Sequence, residues 1–462
     1  MGYNPDKQYR CTIIRGKTKN ELDDLLPAYA RTIKDSCPSE EKVFKGKFNK
    51  GIAPFLSSPT KKTLDNHRTE IAGKLFGMWK KGENGLIHPT QRTDRLLDSG
   101  DNPQFFKGLI MKMQFPNGMD KLNTIQERIR AGIKIRPCAF VLKALLVAAD
   151  KNITLTQDEV GYYILNNLDV LRGEADVNEV IGIILERRRE KLFKRVETPG
   201  KASSYSTQHI RELLNLMELA NLIRIAREKF HANVTLNGNE TRSIRYIAEN
   251  WNKEPSFDVY KYDLKSKADV KAMYNDWEKY YTEPEKDETV FETSTKSLIS
   301  EPLAAAVPPS AIEMAAGEIG DEGELIVFAH EKERVKNFNE RLVNKVIYFG
   351  KQKGLGYDIS SIKADGGAKS EHAIYIEVKS TKRVTAPKNP LKDQFDMTRN
   401  EWIAAEQHGS SYYIYRVYIT NEGLIVFIIN DPVLLRRVSK IYAEPLKYHV
   451  EFNHNSGELV SW

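Results

Sequence analysis

Two acidic residues and a lysine in the C-terminal third of the sequence have the chemistry needed for metal-assisted phosphate hydrolysis. The segment 373–379 alternates apolar and polar residues, so a β-strand there would place Glu377 and Lys379 on one face. The segment 355–359 predicts a preceding strand, and a hairpin would set Asp358 beside Glu377. Adjacent carboxylates can bind Mg²⁺, which lowers the pKa of a bound water and holds a phosphate oxygen. The ammonium of Lys379 can orient the water or offset charge on the phosphate.

The elements around these residues alternate between helices and strands. A helix predicted upstream places Glu324, Phe328 and Glu331 on one face, which makes Glu324 a candidate third acid. Downstream, Thr398 and Glu401 have capping-box spacing, which predicts the start of a helix. This helix would run to about residue 408, and strands are predicted over 412–420 and 424–429. The pattern predicts an α/β domain.

Five motifs follow one another in this part of the sequence. They are Gly317–Glu324, Glu331–Val335, Gly354–Ser360, Ile376–Thr381 and Thr398–Trp402. Together they resemble the NO VEIN-type C-terminal domain, which is related to the PD-(D/E)XK nuclease fold with its central mixed sheet. The resemblance covers roughly residues 316 to 462. It implies that Asp358 and Glu377 bind metal, that Lys379 is catalytic and that Glu324 is a supporting catalytic acid.

The basic residues are concentrated in the first half of the chain. Residues 1–250 hold 42 Lys and Arg against 30 Asp and Glu, whereas 251–310 hold 8 against 12 and 311–462 hold 20 against 21. A polyanion bound by the first half would explain this, because Lys and Arg supply most sequence-independent affinity for nucleic acids. The alternative is a lysine-rich solvated surface.

Two segments of the first half predict winged-helix elements, in which a helix is followed by a hairpin with a basic tip. The first has a helix over 67–79 and a basic turn, with Lys80, Lys81, Arg92 and Arg95 as candidate DNA contacts.

The second predicted winged-helix element has a helix over 206–223 and a hairpin of strands 224–236 and 241–247 around Asn237-Gly238-Asn239. Arg242 and Arg245 would lie on its returning strand. The alternative is that this hairpin packs on a following helix and never meets DNA.

The sequence divides into a mainly α N-terminal region and a C-terminal nuclease-like domain. Predicted boundaries are 1–120 and 121–282 for two winged-helix-like DNA-recognition regions, 283–316 for a Pro-rich linker and 317–462 for the catalytic domain. Motifs between Thr90 and Pro116 resemble the helical recognition regions of modular restriction endonucleases. This resemblance agrees with a basic recognition part in front of a near-neutral catalytic part.

Several other classes of protein are excluded by what the sequence lacks. No run of eighteen apolar residues and no signal peptide occurs, which predicts a soluble protein of the cytoplasm, expected in a prokaryotic cell. Three cysteines without CxxC spacing exclude a disulfide framework or a closed zinc site. No GxxxxGK[ST] loop or HExxH motif is present.

These observations predict a sequence-specific, Mg²⁺-dependent endonuclease of the restriction type acting on double-stranded DNA. One alternative is a DNA-binding regulator whose nuclease-like domain does not cleave, and another is a methylation-dependent or RNA-cleaving defence nuclease. A single active site per chain means that double-strand cleavage would require a homodimer or two sequential nicks.

Overall fold

The computed structural model forms two compact units, neither of which is one continuous stretch of the chain. It describes residues 2–14, 16–197, 204–229, 231–283, 288–299, 322–350, 352, 354–388 and 392–444. The larger unit comprises 1–326, 380–395 and 417–426, and the smaller unit comprises 327–379, 396–416 and 427–462. The boundaries predicted from the sequence, in contrast, were continuous ranges.

The N-terminal region is rich in helices, as predicted from the sequence. Its helices are α1 (Lys19–Ser36), α2 (Glu41–Ile52), α3 (Lys61–Asn66), α4 (Gln91–Ser99), α5 (Asn102–Lys112), α6 (Leu122–Arg130), α7 (Pro137–Asp150), α8 (Gln157–Glu159), α9 (Leu168–Leu171), α10 (Val177–Arg189), α11 (Ser204–Leu219), α12 (Thr241–Ala248), α13 (Lys267–Thr282) and α14 (Thr295–Leu298). Helices α3 and α8 continue as π-helical turns over His67–Leu75 and Val160–Leu165. Helix α8 begins with a capping box: the Thr156 side chain accepts from the N–H of Glu159, and the Glu159 carboxylate accepts from the N–H of Thr156.

The first predicted hairpin forms a short antiparallel pair. Strand β1 (Trp79–Lys81) pairs with β2 (Ile87–Pro89), with Lys80 opposite His88. The chain then enters α4, which carries Arg92 and Arg95. These arginines therefore lie on a helix that follows the hairpin.

The second predicted hairpin is displaced along the sequence. Strand β4 (Ile223–Arg227) pairs with β5 (Ala232–Leu236), and β3 (Leu155–Thr156) completes a sheet of order β3-β5-β4. The returning strand predicted over 241–247 is wrong, because this segment is helix α12. Ile244 and Ile247 are buried and recur at three-residue spacing, which is the period of a helix face rather than of a strand.

Arg242 and Arg245 consequently lie on a helix, and both are exposed. Asn237, predicted to be in the hairpin turn, accepts from the N–H of Asn239 and begins a 3₁₀ turn over Gly238–Glu240. The paired strands instead end at Arg227 and begin again at Ala232.

Part of the predicted linker is folded into the larger unit. Residues 288–299 include a 3₁₀ turn (Glu288–Phe291) and α14, and Phe291 and Leu298 are buried. The buried Lys107 of α5 donates to Thr293 Oγ1 at 3.0 Å and pairs with Glu240 at 2.8 Å. Residues 300–316 lie outside the described part of the chain.

The larger unit also contains residues 380–395, and buried polar contacts with α1 hold this segment in place. The carboxylate of Asp23 on α1 accepts from the N–H and hydroxyl of Thr385, both at 2.9 Å, and from Asn102 Nδ2 at 2.8 Å. Arg383 Nη2 lies 2.5 Å from Asp24 Oδ1. Asp23 is only 1% exposed, so this carboxylate depends on its protein partners for hydrogen bonds.

The C-terminal region is a mixed sheet with helices. Its strands are β6 (Ile347–Tyr348), β7 (Ile359–Ile362), β8 (Ala373–Lys382), β9 (Tyr412–Thr420) and β10 (Gly423–Asn430), in the order β10-β9-β8-β7-β6. Its helices are α15 (Glu322–Phe338), α16 (Arg399–His408) and α17 (Pro432–Arg437). The buried side chains of Ile374, Ile376 and Val378 confirm the predicted core face of β8.

Among the residues that the structure describes, no helix has the length and apolar character needed to cross a lipid bilayer.

Candidate active site

Strands β7 and β8 bring the two predicted carboxylates side by side. The strands are antiparallel with Ile359 opposite Ile376, so the next position sets Asp358 opposite Glu377. The N–H of Asp358 donates to the Ile376 carbonyl at 2.9 Å, and Asp358 Oδ2 accepts from the N–H of Val378 at 2.8 Å. These backbone bonds fix the carboxylate of Asp358 against β8.

Lys379 projects from the same strand face as Glu377 and contacts two acids. Its Nζ lies 2.6 Å from Glu377 Oε1 and 2.8 Å from Glu401 Oε2. The Lys379 side chain is 20% exposed and that of Glu377 is 5% exposed. The backbone carbonyl of Lys379 accepts from Arg416 Nη1 at 3.0 Å, which holds the strand behind the side chain.

Crowding of carboxylates changes the acidity of Glu377. Burial raises the pKa of Glu377, and the nearby carboxylates of Asp358 and Glu401 add to this effect against the opposing ammonium of Lys379, so that the pKa reaches about 8. Burial alone would lower the pKa of Lys379, but Glu377 and Glu401 outweigh it, so the pKa is raised. Glu377 thus lies where added positive charge would be favourable.

Glu401 is the site residue that sequence reasoning missed. It occupies the first turn of α16, where the predicted capping box is confirmed: Thr398 Oγ1 accepts from the N–H of Glu401 and Glu401 Oε2 accepts from the N–H of Thr398 at 3.0 Å. The capping spacing identified this acid only as a helix cap. No local sequence pattern connects Glu401 with Lys379, because Glu401 lies on helix α16 and Lys379 on strand β8.

The loop that carries Asp358 is pressed against α16 at a glycine. Gly356 has φ +79°, and a Cβ there would lie 2.5 Å from the carbonyl oxygen of Asn400 and 2.8 Å from Ala404 Cβ. The Gly356 carbonyl accepts from the Tyr412 hydroxyl at 2.8 Å. Only glycine fits both this close approach and this backbone conformation.

The fourth predicted catalytic residue, Glu324, lies in the first turn of α15 and is half-buried. It is assigned to the larger unit, whereas Asp358, Glu377 and Lys379 are in the smaller one, so its supporting role stays a prediction. Further along α15, Glu331 is fully buried in a separate hydrogen-bond network. It accepts from Arg334 Nη2 at 2.6 Å, Ser361 Oγ at 2.7 Å and Tyr415 OH at 3.3 Å.

The arginines and lysines predicted as DNA contacts differ in exposure. Lys80, Arg95, Arg242 and Arg245 are exposed, as is Lys81, which pairs with Glu41 at 3.2 Å. Arg92, in contrast, is buried and donates to two backbone carbonyls, those of Phe76 at 2.8 Å and Tyr281 at 2.7 Å. This guanidinium is engaged inside the protein.

The donor set at Asp358 and Glu377 suits a hard divalent cation. In the described part of the chain, no group of three or more His, Cys, Asp and Glu side chains is arranged to hold a metal. Mg²⁺, however, is commonly bound through one or two carboxylates, with water and substrate phosphate completing its shell. The carboxylates of Asp358 and Glu377 lie on neighbouring strand positions, with Glu401 close by and the Lys379 ammonium between the two glutamates, so these residues fit such an ion.

Known proteins resemble the two parts of the chain separately. Residues 323–429 match the family described as Protein NO VEIN, C-terminal. A solved structure of the BpuJ1 endonuclease binding domain in complex with pyrene- and phenanthrene-modified DNA is 49% identical. The match covers 61% of this chain and 100% of that one, with a TM-score of 0.59. No curated protein matches the chain.

Residues 3–278, more than half of the chain, match the family described as Restriction endonuclease BpuJI - N terminal. The chain therefore belongs to the BpuJI N-terminal restriction endonuclease family, and it carries a C-terminal region similar to that of NO VEIN.

Proposed function

We propose that the protein is a sequence-specific DNA endonuclease of the restriction type that hydrolyses phosphodiester bonds with Mg²⁺. The observation that carries the proposal is the juxtaposition of Asp358, which directly precedes β7, with Glu377 and Lys379 on β8. An acidic pair beside an ammonium is suited to phosphate hydrolysis, and the raised pKa of Glu377, about 8, is of the kind that clusters at functional sites.

Asp358 and Glu377 would hold the cation through their carboxylate oxygens. When bound, Mg²⁺ would activate a water and neutralise charge on the phosphate. The Lys379 ammonium, beside Glu377, would orient the attacking water and stabilise the charge that develops on the phosphate oxygens. In the reaction the water oxygen bonds to phosphorus and one phosphorus–oxygen ester bond breaks, leaving a phosphate monoester and a hydroxyl group.

The N-terminal region would bind and select the DNA. Its 49% identity to a binding domain solved with DNA supports this role, and so does the excess of Lys and Arg in residues 1–250. We propose that α11 and the sheet β3-β5-β4 form a winged-helix element whose wing is the strand pair β4 and β5. The exposed Arg227 is the last residue of β4, and the exposed Lys80 lies on the first hairpin. Both are suited to phosphate contact.

Incubation of the full chain with plasmid and genomic DNA of differing methylation, in Mg²⁺ or in EDTA, tests the proposed function. We expect cleavage only with the metal and at defined positions. Glu377→Gln should reduce the rate by about 10²- to 10³-fold or more and leave DNA affinity nearly unchanged. Glu371→Gln is the matched control, because Glu371 is exposed and pairs with Lys345.

Each alternative predicts a different result in this assay. Specific binding without cleavage under any metal condition would favour a regulator whose nuclease-like domain is inactive. Cleavage of methylated DNA alone, or of RNA, would favour a defence nuclease of that kind. Linear product that depends on protein concentration to a power above one would support a homodimer, and accumulation of nicked circles would support independent single-strand cuts.

A further inference from the structure

The Lys379 ammonium is shared between carboxylates on two different elements. Glu377 Oε1 on β8 lies 2.6 Å from Nζ and Glu401 Oε2 on α16 lies 2.8 Å from it. The Glu401 side chain is 13% exposed, so it is largely withdrawn from solvent. A lysine paired with two acids keeps one ion pair when the other acid moves away.

Helix capping alone does not account for the placement of Glu401. The capping box needs the bond from the N–H of Thr398, and the same oxygen also accepts from Lys379. The first turn of α16 is held near the site by the close approach of Gly356 to Asn400. The backbone in the first turn of α16 therefore holds the Glu401 carboxylate beside the Lys379 ammonium.

The proposed chemistry makes a second acceptor useful. A cation bound by Glu377 would compete with Lys379 for the same carboxylate oxygens, because both carry positive charge. If Glu377 were the only partner of Lys379, metal binding would have to break a largely buried ion pair, which is costly. With Glu401 present, the ammonium can remain paired when Glu377 turns to the metal.

We propose that Glu401 is a positioning residue: it accepts the Lys379 ammonium so that Glu377 is released to bind the cation. This inference rests on the proposed function, since it assigns Glu377 to the metal. The other charged or titratable groups near the ammonium are Asp358 beside Glu377, and Tyr412 and Arg416 on β9. Glu377 and Glu401 make the two ion pairs with Nζ described above.

Binding of Mn²⁺ to the full chain without DNA, followed by electron paramagnetic resonance, tests this role independently of cleavage. Glu401→Gln should weaken Mn²⁺ binding about tenfold, the order of effect seen when a partner of a metal ligand is removed. Glu406→Gln is the matched control on the same helix, where the carboxylate is exposed and accepts from Trp402 Nε1 at 3.0 Å. Thr398→Ala removes the cap and leaves the Glu401 carboxylate, so it should lower thermal stability without weakening Mn²⁺ binding.

A double-mutant cycle with Lys379→Met decides whether Glu401 acts through the lysine. Lys379→Met alone should bind Mn²⁺ more tightly, because the competing ammonium is gone, although cleavage falls. In that background Glu401→Gln should change Mn²⁺ binding less than twofold, since there is no ammonium left to accept. The same tenfold loss in both backgrounds would overturn the proposal and make Glu401 a direct contributor to the cation site.

In a chain that cleaves, Glu401→Gln should lower kcat with little change in KM for DNA, and Glu401→Asp should recover part of the loss. If the wild type never cleaves but the cycle is non-additive, the proposed function fails and the positioning role stands. If the wild type cleaves and the cycle is additive, only the positioning role fails.

Discussion

Gly356→Ala should disable the site by forcing the loop before β7 away from α16. The new Cβ would lie 2.5 Å from the Asn400 carbonyl oxygen, whereas ordinary contact begins at 3.4 Å, so the loop and α16 must separate by 3.4 − 2.5 = 0.9 Å. The obstructing atom belongs to backbone and cannot move by changing a rotamer. In addition, alanine at φ +79° costs roughly 1–2 kcal/mol.

The displacement matters because Asp358 follows Gly356 by two residues. A misplacement of about 1 Å in a catalytic group can cost about 10²-fold in rate. We therefore expect kcat for DNA cleavage to fall about 10²-fold in Gly356→Ala, with DNA affinity unchanged. Single-turnover cleavage of a plasmid and a gel-shift titration measure the two quantities on the same protein.

The same loop offers a matched control. Gly354 also has a positive φ, +104°, but a Cβ there has nothing within 4 Å. Gly354→Ala therefore introduces backbone strain without the collision with α16 and should retain most of the activity. Equal losses of kcat in the two variants would refute the argument, because strain alone would then explain both.

Three further perturbations test other parts of the structure. Because the metal-free pKa of Glu377 is about 8 and only its ionised form binds a cation, Mn²⁺ affinity should rise about tenfold per pH unit from pH 6 to 8 and level off above, as measured by titration at each pH. Lys107→Met leaves the buried Glu240 without its ion-pair partner and should destabilise the chain by about 3–5 kcal/mol, seen as a lower Tm. Arg95→Ala should weaken DNA binding and reduce the slope of log affinity against log salt concentration by about one unit. Arg92→Ala should instead lower Tm, because the Arg92 side chain is buried and donates to two backbone carbonyls.

The arrangement around β8 was predictable because alternation and hairpin geometry are local. The apolar residues Ile374 and Ile376 occur at period two, and the pairing of β7 with β8 then follows from a short connection. Asp358 could be placed beside Glu377 for this reason. Glu401, the second acid that pairs with Lys379, could not be placed there, since it comes from a helix that tertiary packing brings to the strand.

The error at 241–247 has a different cause. The dipeptide Asn237-Gly238 predicts a hairpin turn, but the side chain of Asn237 begins a 3₁₀ turn and its Nδ2 donates to the carbonyl of Asn221 at 2.8 Å. Asn favours both hairpin turns and helix starts, so the dipeptide alone does not choose between them. The spacing of Ile244 and Ile247 was the better signal.

The buried carboxylate of Asp23 limits how this protein can exchange parts with its relatives during evolution. Its acceptor oxygens are satisfied by Asn102 near the N-terminus of α5 and by Thr385, which lies beyond β8. A chain produced by recombination at residues 300–316 would keep Asp23 but lose Thr385. Its buried Asp23 carboxylate would then have too few hydrogen-bond donors, which would lower the free energy of unfolding by several kcal/mol. Lineages that acquire a new C-terminal region must therefore bring residues 380–395 along or replace Asp23 at the same time. Paired changes at positions 23 and 385 would be the trace of such an exchange.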